Sequence, residues 1–480
     1  MHMRDDVYDV VVIGGGIVGA SILRKLSEYR LKLLLIEKQP DVCEGASKAN
    51  SGIVHTGFDA KPGTVEAECL RLSRGLWPKL IERLKIPYVE CGAVMVAVSD
   101  EERSIIEETY LPSAAANGVA CEWIGREELL ERNPAVTPRA IGGLSIPGEA
   151  LIDPFGATRS FAEIAAMNGA EVSLGSGVAR IEANDDALLI ALENGREVAT
   201  RYAVNAAGLW ADEIAGMIGD DSFALTPRKG QFVLTEEAVP VSQIVLPVPT
   251  KTSKGILLSP VVFGGYLLGP TAEDQEEKWD RSTTAEGMEA VLAGCEKLVP
   301  SARSYASVRQ FAGVRAVCSE GDFVIRPSAV DARLVHAAGI RSTGVSASPG
   351  IAELVSAQLE RAGLALESKP EAELRTDMPE LFGEDNTTEA GEIVCLCRSI
   401  TRGEIANALC RPVAAATIDA VKRRTGALLG ECQGNGCIPK IMDLVAEHTA
   451  VRAGQPPLKG LQGSYLAFDC GSEGGTLHEG

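Results

Sequence analysis

The chain has 480 residues, of which 45% are hydrophobic and 23% charged, so it is globular and long enough for two or three domains. Its 46 Lys plus Arg and 66 Asp plus Glu give a net charge of −20, which argues against a nucleic-acid-binding protein. The first residues lack a signal peptide's cleavage site, and no apolar run reaches the ~20 residues of a membrane span. We therefore expect a cytoplasmic protein without a transmembrane segment, which could reach a membrane surface through a partner.

The N-terminal segment predicts a dinucleotide-binding unit. The apolar run 10–13 indicates a buried parallel strand, and a helical pattern then continues to about Tyr29. Between them lies a G-x-G-x-x-G motif formed by Gly14, Gly16 and Gly19. Such glycines permit a tight turn, approach of the backbone to a pyrophosphate and close packing of helix on strand. A second apolar run, 31–36, ends at Glu37, where an acid accepts the ribose hydroxyls. The motif alone does not separate FAD from NAD.

A loop of small polar residues follows, and it contains one of the five histidines, His55. The loop supplies hydrogen-bonding groups that could wrap a cofactor diphosphate or ring edge, at Ser47, Asn50, Ser51 and Gly52. An imidazole has a reference pKa of about 6.5 and suits proton transfer near neutral pH. A lone histidine is nevertheless more often structural than catalytic, so the residues alone leave its role open.

Three motifs resemble the FAD-dependent oxidoreductases of the D-amino-acid-oxidase superfamily. They are "NSGIVHTG" around His55, "VNAAGLWADEIA" near Trp210, and "HAAGIRSTGVSASPGIAELV" near Gly339, and together they cover about residues 7–360. The resemblance implies FAD rather than NAD. It adds Lys38, Val178, Ala207, Gly208, Gly344 and Val345 to the expected cofactor-binding residues.

The same resemblance implies an α/β fold, with a Rossmann-type FAD-binding domain and an interleaved antiparallel-sheet substrate domain. The expected oxidoreductase module is 1–363, with the FAD domain at about 1–85, 141–215 and 311–363 and the substrate domain at about 86–140 and 216–310. An acidic, proline-containing linker is expected at 364–391, followed by a small domain at 392–446 and an unassigned tail at 447–480.

The expected substrate is a small anionic 2-hydroxy compound. By position, Lys254 and Arg315 resemble basic residues that face the substrate's anionic group, and Arg341 is a weaker candidate. "HTGFDA" and "TSKGILLSP" resemble glycerol-3-phosphate enzymes, whereas "KPGTVEAEC" resembles L-2-hydroxyglutarate enzymes. We expect oxidation of glycerol 3-phosphate to dihydroxyacetone phosphate, with His55 as the base. The alternatives are an L-2-hydroxyglutarate dehydrogenase or oxidase and, more remotely, an amine or amino-acid dehydrogenase.

Two close cysteine pairs stand near the C-terminus, at Cys395 and Cys397 and at Cys432 and Cys437. Cysteines one residue apart can hardly form a disulfide, whereas four thiolates suit either zinc or a [2Fe–2S] cluster. Between the pairs the pattern predicts helices at about 401–410 and 417–424, with Thr401 and Thr417 as N-caps and Cys410 in the core.

Residues 392–446, including "CQGNGC", resemble the [2Fe–2S] module related to bacterioferritin-associated ferredoxin, as found in large subunits of anaerobic glycerol-3-phosphate dehydrogenases. A cluster of this kind implies a dehydrogenase whose electrons leave toward a partner subunit or carrier. The alternative from another class is a non-catalytic iron–sulfur protein for iron storage or sensing, which the long flavin-binding segment disfavours.

Overall fold

The computed structural model describes residues 7–236, 241–249, 255–379 and 390–448. The chain divides into two compact units, Met1–Pro379 and Glu380–Gly480. The predicted α/β class is confirmed, since the first unit contains two large sheets flanked by helices. Within the described residues, no helix combines the length and apolar character that crossing a bilayer requires.

The first large sheet has eight strands and a parallel centre. Strand Val7–Ile13 lies between Leu33–Glu37 and Glu197–Asn205 and is parallel to both. Across the sheet the order is Val178–Ala183, Leu188–Leu192, Glu197–Asn205, Val7–Ile13, Leu33–Glu37 and Glu171–Leu174. Strand Leu334–Ala338 pairs with the end of Glu197–Asn205, and Val324–Pro327 pairs with Leu334–Ala338. The predicted strand, glycine turn, helix and second strand are therefore all present, the helix being Ile17–Leu26.

Both faces of this sheet are covered, which explains its unbroken apolar runs. Successive residues of a strand point to opposite faces, so Val10 and Val12 enter one core and Val11 and Ile13 the other. The first face packs against helices Ile17–Leu26, Val65–Leu84, Pro154–Met167 and Gly344–Arg361, and helix Ala211–Gly216 lies on the second.

Among the described residues, the second large sheet has nine strands and is mainly antiparallel. One pair is parallel, Ala93–Ala97 with Ile244–Pro247. The order is Glu273–Asp274, Leu225–Thr235, Tyr266–Gly269, Leu257–Pro260, Ile244–Pro247, Ala93–Ala97, Gly142–Ile146 and Glu122–Gly125, with Ser307–Cys318 on the other side of Leu225–Thr235. Its helices are Asp100–Ile105, Leu111–Ala116, Arg126–Arg132 and Ala285–Leu298, and a small third sheet joins Ile53–Val54, Ala150–Ile152 and Tyr88–Glu90.

Two strands lie in a different sheet from the one expected. Gly142–Ile146 and Ser307–Cys318 belong to the second sheet, although 141–215 and 311–363 were assigned to the FAD domain. Strand Ser307–Cys318 pairs along nearly its full length with Leu225–Thr235, and this long-range pairing keeps it in one sheet.

The first part of the expected linker packs on the first unit. Leu364 and Met378 are buried, and the Lys369 ammonium donates to the carbonyls of Ser27 and Asn168. Residues 364–379 are thus part of the first unit, whereas 380–389 lie outside the described residues.

The second unit has a short hairpin, Ile393–Cys395 with Ile400–Thr401, and helices Arg402–Leu409, Ile418–Thr425 and Ile438–His448. Both predicted N-caps are confirmed, because the Thr401 and Thr417 side chains accept hydrogen bonds from the first turns. The core position expected for Cys410 is wrong. This residue is exposed because it follows the last helical turn and is the C-cap.

A buried polar network stabilises the edge of the first sheet. The Asp220 carboxylate accepts hydrogen bonds from Ser328 Oγ, at 2.5 Å, and from His336 Nε2, at 3.0 Å. Although burial opposes ionisation, these donors hold the pKa of Asp220 well below its usual range. The carboxylate is therefore ionised at neutral pH, and its contribution to stability is lost only in strong acid.

We expect Asp220→Ala to lower the free energy of unfolding of the first unit by about 3 kcal/mol, because it leaves two buried donors without an acceptor. All four tryptophans lie before residue 380, so urea denaturation followed by tryptophan fluorescence reports on this unit. The control is Asp221→Ala, since Asp221 is adjacent and exposed. Equal denaturation midpoints for the two variants would contradict the role assigned to the network.

Candidate functional site

A cavity of ≈ 320 Å³ lies at the carboxyl ends of the parallel strands. This is the edge at which open α/β sheets bind their ligands. The predicted cofactor residues that line it are Gly14, Gly16, Glu37, Lys38, Ser47, Asn50, Val178, Ala207, Gly208, Gly344 and Val345. Of the described residues in that prediction, Gly19, Ser51 and Gly52 lie outside the lining.

The motif glycines are required by close backbone packing. A Cβ atom on Gly14 would lie 2.4 Å from the Ala206 carbonyl oxygen, and one on Gly19 would lie 1.9 Å from the Gly14 carbonyl oxygen. Helix Ile17–Leu26 can therefore begin directly at the strand end, with Gly16 as its N-cap. Residues 16–18 of its first turn line the cavity, where the positive end of the helix dipole suits a diphosphate.

Glu37 closes one end of the cavity. Its Oε2 atom accepts the Gly15 N–H at 2.6 Å, and its Oε1 atom accepts the Gln39 N–H at 2.7 Å. Burial is the main cause that raises the pKa of Glu37 to about 7; the two hydrogen bonds oppose this increase, and the negative charges of Glu44 and Asp41 add to it. The carboxyl group is thus held rigidly and titrates near neutral pH.

A segment between the second sheet and its helix crosses this end of the cavity. We call residues 275–282 the strap. The Lys278 ammonium contacts Asp212 at 2.9 Å and Glu213 at 2.6 Å, and the Trp279 ring lies 4.3 Å from that of Trp210. Arg281 donates to a backbone carbonyl of the cofactor loop, that of Glu44, at 3.1 Å. Sequence reasoning did not identify the strap, because nothing local distinguishes it from an ordinary charged loop.

His55 is held from two sides. Its backbone N–H donates to Ser346 Oγ at 2.9 Å, in the helix that begins at the cavity. Its Nδ1 atom lies 2.9 Å from Oε2 of Glu149, a fully buried carboxylate that the sequence analysis missed. The ring retains some solvent exposure, 19% of its side-chain area. An imidazole fixed in this way by a carboxylate is a recurring arrangement for a catalytic base.

Arg315 is a largely buried cation on the strand Ser307–Cys318. One terminal nitrogen donates to the Thr271 carbonyl at 2.8 Å, while its buried Nε atom has no hydrogen-bond partner among the described residues. Burial lowers the pKa of Arg315 to about 10, with the charge of Arg228 as a further cause, so the guanidinium remains charged at neutral pH. A buried cation with an unused donor favours an anionic ligand.

The other expected basic residues are placed differently. Arg341 lines the cavity and lies near enough to Arg315 to lower its pKa, but it is also 3.7 Å from the Glu66 carboxylate. Lys254 lies outside the described residues. The strand of Arg315 reaches the cofactor loop at Gly313, where a Cβ atom would lie 2.1 Å from the Ala49 carbonyl oxygen.

The four predicted cysteine ligands meet in the second unit. The Cys437 thiol hydrogen-bonds with that of Cys395, and Cys432 is similarly linked to Cys397. Backbone N–H groups, led by that of Gly436, lower the pKa of the Cys432 thiol. In the part of the chain that the structure describes, no three His, Cys, Asp or Glu side chains are arranged around a single metal ion. Four thiols arranged as two pairs suit the two irons of a [2Fe–2S] cluster, which is held by four cysteine thiolates.

Family comparisons match both units. Residues 9–358 match the FAD dependent oxidoreductase family, DAO, and residues 393–447 match the BFD-like [2Fe-2S] binding domain. The first match covers well over half of the 480 residues. FAD and a [2Fe–2S] cluster are therefore the cofactors of the two modules.

Curated relatives include enzymes that act on glycerol phosphate. The chain is 35% identical to glycerol 3-phosphate dehydrogenase of Caloramator mitchellensis, with 96% of this chain and 98% of the relative covered. It is 31% identical to glycerol 3-phosphate oxidase of Mycoplasma pneumoniae, with 72% and 92% covered. L-2-hydroxyglutarate dehydrogenase of Escherichia coli strain K12 is 29% identical over 55% of this chain and 64% of its own length.

Solved structures agree with this assignment of the fold. L-alpha-glycerophosphate oxidase from Mycoplasma pneumoniae with FAD bound superposes with a TM-score of 0.74 and 30% identity, covering 78% of this chain and 100% of that one. Glycine oxidase from Geobacillus kaustophilus has a TM-score of 0.67 and 26% identity, with 74% and 95% covered.

The affinity of the FAD-free protein for FAD is expected to increase with pH. With a pKa near 7, Glu37 is mainly protonated at pH 6 and mainly ionised at pH 8, and the ionised form is the better acceptor for ribose hydroxyls. If only the ionised form binds, affinity rises about tenfold between these pH values. Quenching of FAD fluorescence measures it, and Glu37→Gln should show a flat profile. An equally steep profile in that variant would assign the proton to another group.

Lys278→Ala is expected to accelerate FAD dissociation roughly fivefold, because losing partly buried ion pairs costs about 1 kcal/mol. The measurement is the return of flavin fluorescence after dilution. Arg303→Ala is the control, since Arg303 also pairs with two carboxylates, those of Glu289 and Glu296, but on an exposed surface outside the cavity lining. Matching dissociation rates in the two variants would show that the strap does not retain the cofactor.

Proposed function

This chain belongs to the FAD-dependent oxidoreductase family, and we propose that it is a dehydrogenase that oxidises sn-glycerol 3-phosphate to dihydroxyacetone phosphate. The main support for the proposal is the fraction of the chain that each relative matches. The glycerol 3-phosphate dehydrogenase relative matches 96% of this chain, cysteine domain included, whereas the oxidase of Mycoplasma pneumoniae matches 72%. An enzyme that passes electrons directly to oxygen has no need of a second redox centre, so the cysteine domain supports a dehydrogenase.

The cavity residues fit FAD. The N-terminus of helix Ile17–Leu26 would hold the diphosphate, and Ser47, whose hydroxyl accepts the Ile17 N–H at 2.9 Å, would shape the turn around it. Glu37 would accept the ribose hydroxyls, and the small residues Ala207, Gly208 and Gly344 would lie along the flavin end. Bound there, FAD supplies a two-electron acceptor for the substrate C–H bond.

The substrate is held by charge and deprotonated by His55. We assign Arg315 to the phosphate group, because its buried Nε atom gains a hydrogen-bond partner and its charge gains a counter-ion. Arg341 would add a second positive charge, and Lys254 remains a candidate for a third. The His55 imidazole would accept the proton of the secondary hydroxyl.

Cys395, Cys397, Cys432 and Cys437 would hold the [2Fe–2S] cluster. Such a cluster carries single electrons, and we propose that an electron-accepting partner subunit or soluble carrier is the final acceptor. The glycine at position 430 allows the two cysteine loops to approach closely, because a Cβ atom at this position would lie 2.3 Å from Cβ of Cys397.

An anaerobic spectral titration of the full-length protein tests the substrate assignment. We expect glycerol 3-phosphate to bleach the flavin absorbance and then the cluster absorbance, and L-2-hydroxyglutarate and glycine to leave both unchanged. Bleaching only by L-2-hydroxyglutarate would replace the substrate, and bleaching only by glycine would indicate a C–N bond oxidation. Flavin bleaching with an unchanged cluster would refute the proposed electron route.

Arg315→Ala is expected to raise the KM for glycerol 3-phosphate roughly 10- to 100-fold, since a charge-assisted hydrogen bond contributes about 1.5–3 kcal/mol. Steady-state rates with an artificial dye acceptor measure it. Arg309→Ala is the charge-matched control, because Arg309 lies six residues earlier, about 20 Å along the same strand. A KM that changes equally in both variants would remove Arg315 from the anion site.

A further inference from the structure

The carboxylate of Glu149 is held in a fixed orientation. It is fully buried in the turn before strand Ala150–Ile152. Its Oε1 atom accepts two hydrogen bonds from Thr56, from the backbone N–H at 2.7 Å and from the hydroxyl at 2.8 Å. Its Oε2 atom faces Nδ1 of His55 at 2.9 Å. The backbone of Glu149 is also fixed, because its carbonyl accepts the Gly92 N–H at 2.8 Å.

This arrangement determines which nitrogen of His55 carries the proton. An ionised carboxylate only accepts hydrogen bonds, so Nδ1 must donate to Oε2. In the neutral imidazole the lone pair then lies on Nε2, so Nε2 is the ring nitrogen that can accept a proton.

We propose that Glu149, oriented by Thr56, is a positioning residue that fixes His55 in the Nδ1–H tautomer and makes Nε2 the proton acceptor. For its substrate the inference rests on the proposed function. In that reaction the alcohol O–H proton would move to Nε2, bound FAD would supply the acceptor for the hydride of the carbon that bears the hydroxyl, and the C–O bond would become C=O. The imidazolium charge is then balanced by Glu149 until Nε2 returns the proton to solvent.

The substitution Glu149→Gln separates this role from simple packing. The Thr56 backbone N–H cannot reverse, so the glutamine oxygen must take the place of Oε1 and its NH₂ group must face His55. Nδ1 then has to accept, and the ring proton moves to Nε2. The side-chain volume is almost unchanged, yet the base is converted into the tautomer that cannot accept the substrate proton.

The test uses the full-length FAD-containing protein labelled with ¹⁵N-histidine, which gives few signals because the chain has five histidines. His55→Asn assigns the His55 signals by their loss. At pH 8 we expect Nδ1 to be protonated in the wild type and Nε2 in Glu149→Gln. The same tautomer in both proteins would overturn the proposal. If Glu149→Gln fails to retain FAD, Thr56→Ala replaces it. In Thr56→Ala the backbone N–H still donates to Oε1 of Glu149, so we expect Nδ1 of His55 to stay protonated as in the wild type. Protonation of Nε2 in this variant would overturn the proposal.

The second readout is anaerobic stopped-flow reduction by glycerol 3-phosphate. We expect Glu149→Gln to lower the rate constant of flavin reduction about 100- to 1,000-fold while the substrate Kd changes little. Glu149→Asp, which restores an acceptor, should recover part of the rate. Glu90→Gln is the matched control, since Glu90 is exposed on a strand paired with Ala150–Ile152.

Different results would contradict the proposed function and the role of Glu149. A wild-type flavin that glycerol 3-phosphate does not reduce would end the proposed function, while the two expected tautomers would still support the role of Glu149. Fast reduction in both wild type and Glu149→Gln would support the substrate and overturn the role of Glu149.

Discussion

The close contact between Gly313 and the Ala49 carbonyl is the constraint on which the site depends. It joins a strand of the second sheet to the loop that follows the dinucleotide-binding motif, and any side chain at 313 would force them apart. Arg315 lies two residues further along the same strand, on the same face. The contact therefore sets how far the buried guanidinium stands from the cavity. This backbone approach links the strand that carries Arg315 to the loop that lines the cofactor cavity.

Local patterns were sufficient for the dinucleotide-binding segment. The strand, glycine turn, helix and second strand are contiguous in sequence, and their ends differ from expectation by only a few residues. The assignment of strands to sheets was less successful. Apolar alternation shows that Ser307–Cys318 is a strand, but its partner is about 80 residues earlier in the chain, at Leu225–Thr235. Alternation of apolar and polar residues does not indicate which strand is the neighbour in the sheet. For this reason the domain boundary expected at residue 311 fell inside the continuous strand Ser307–Cys318.

In the candidate site, too, residues in local motifs were predicted, whereas residues that depend on long-range contacts were not. Motif residues such as Gly14 and Glu37 were found because their spacing reflects one local geometry. Glu149 was missed because its contact with His55 joins residues 94 positions apart, and a glycine–glutamate turn has no distinctive pattern. Cysteine spacing identified the thiol pairs, since ligands on two short loops must be close in sequence. It could not place Cys410, whose exposure depends on where its helix ends.

The strap has a consequence for how long the protein keeps its cofactor. Lys278, Trp279 and Arg281 attach the strap to residues around the cavity, so we expect these contacts to open before FAD leaves. Exchange would then be a local unfolding event with its own activation barrier. The lifetime of the loaded enzyme would depend on kinetic stability, so two variants of equal affinity for FAD would differ in how long each survives when free FAD becomes scarce.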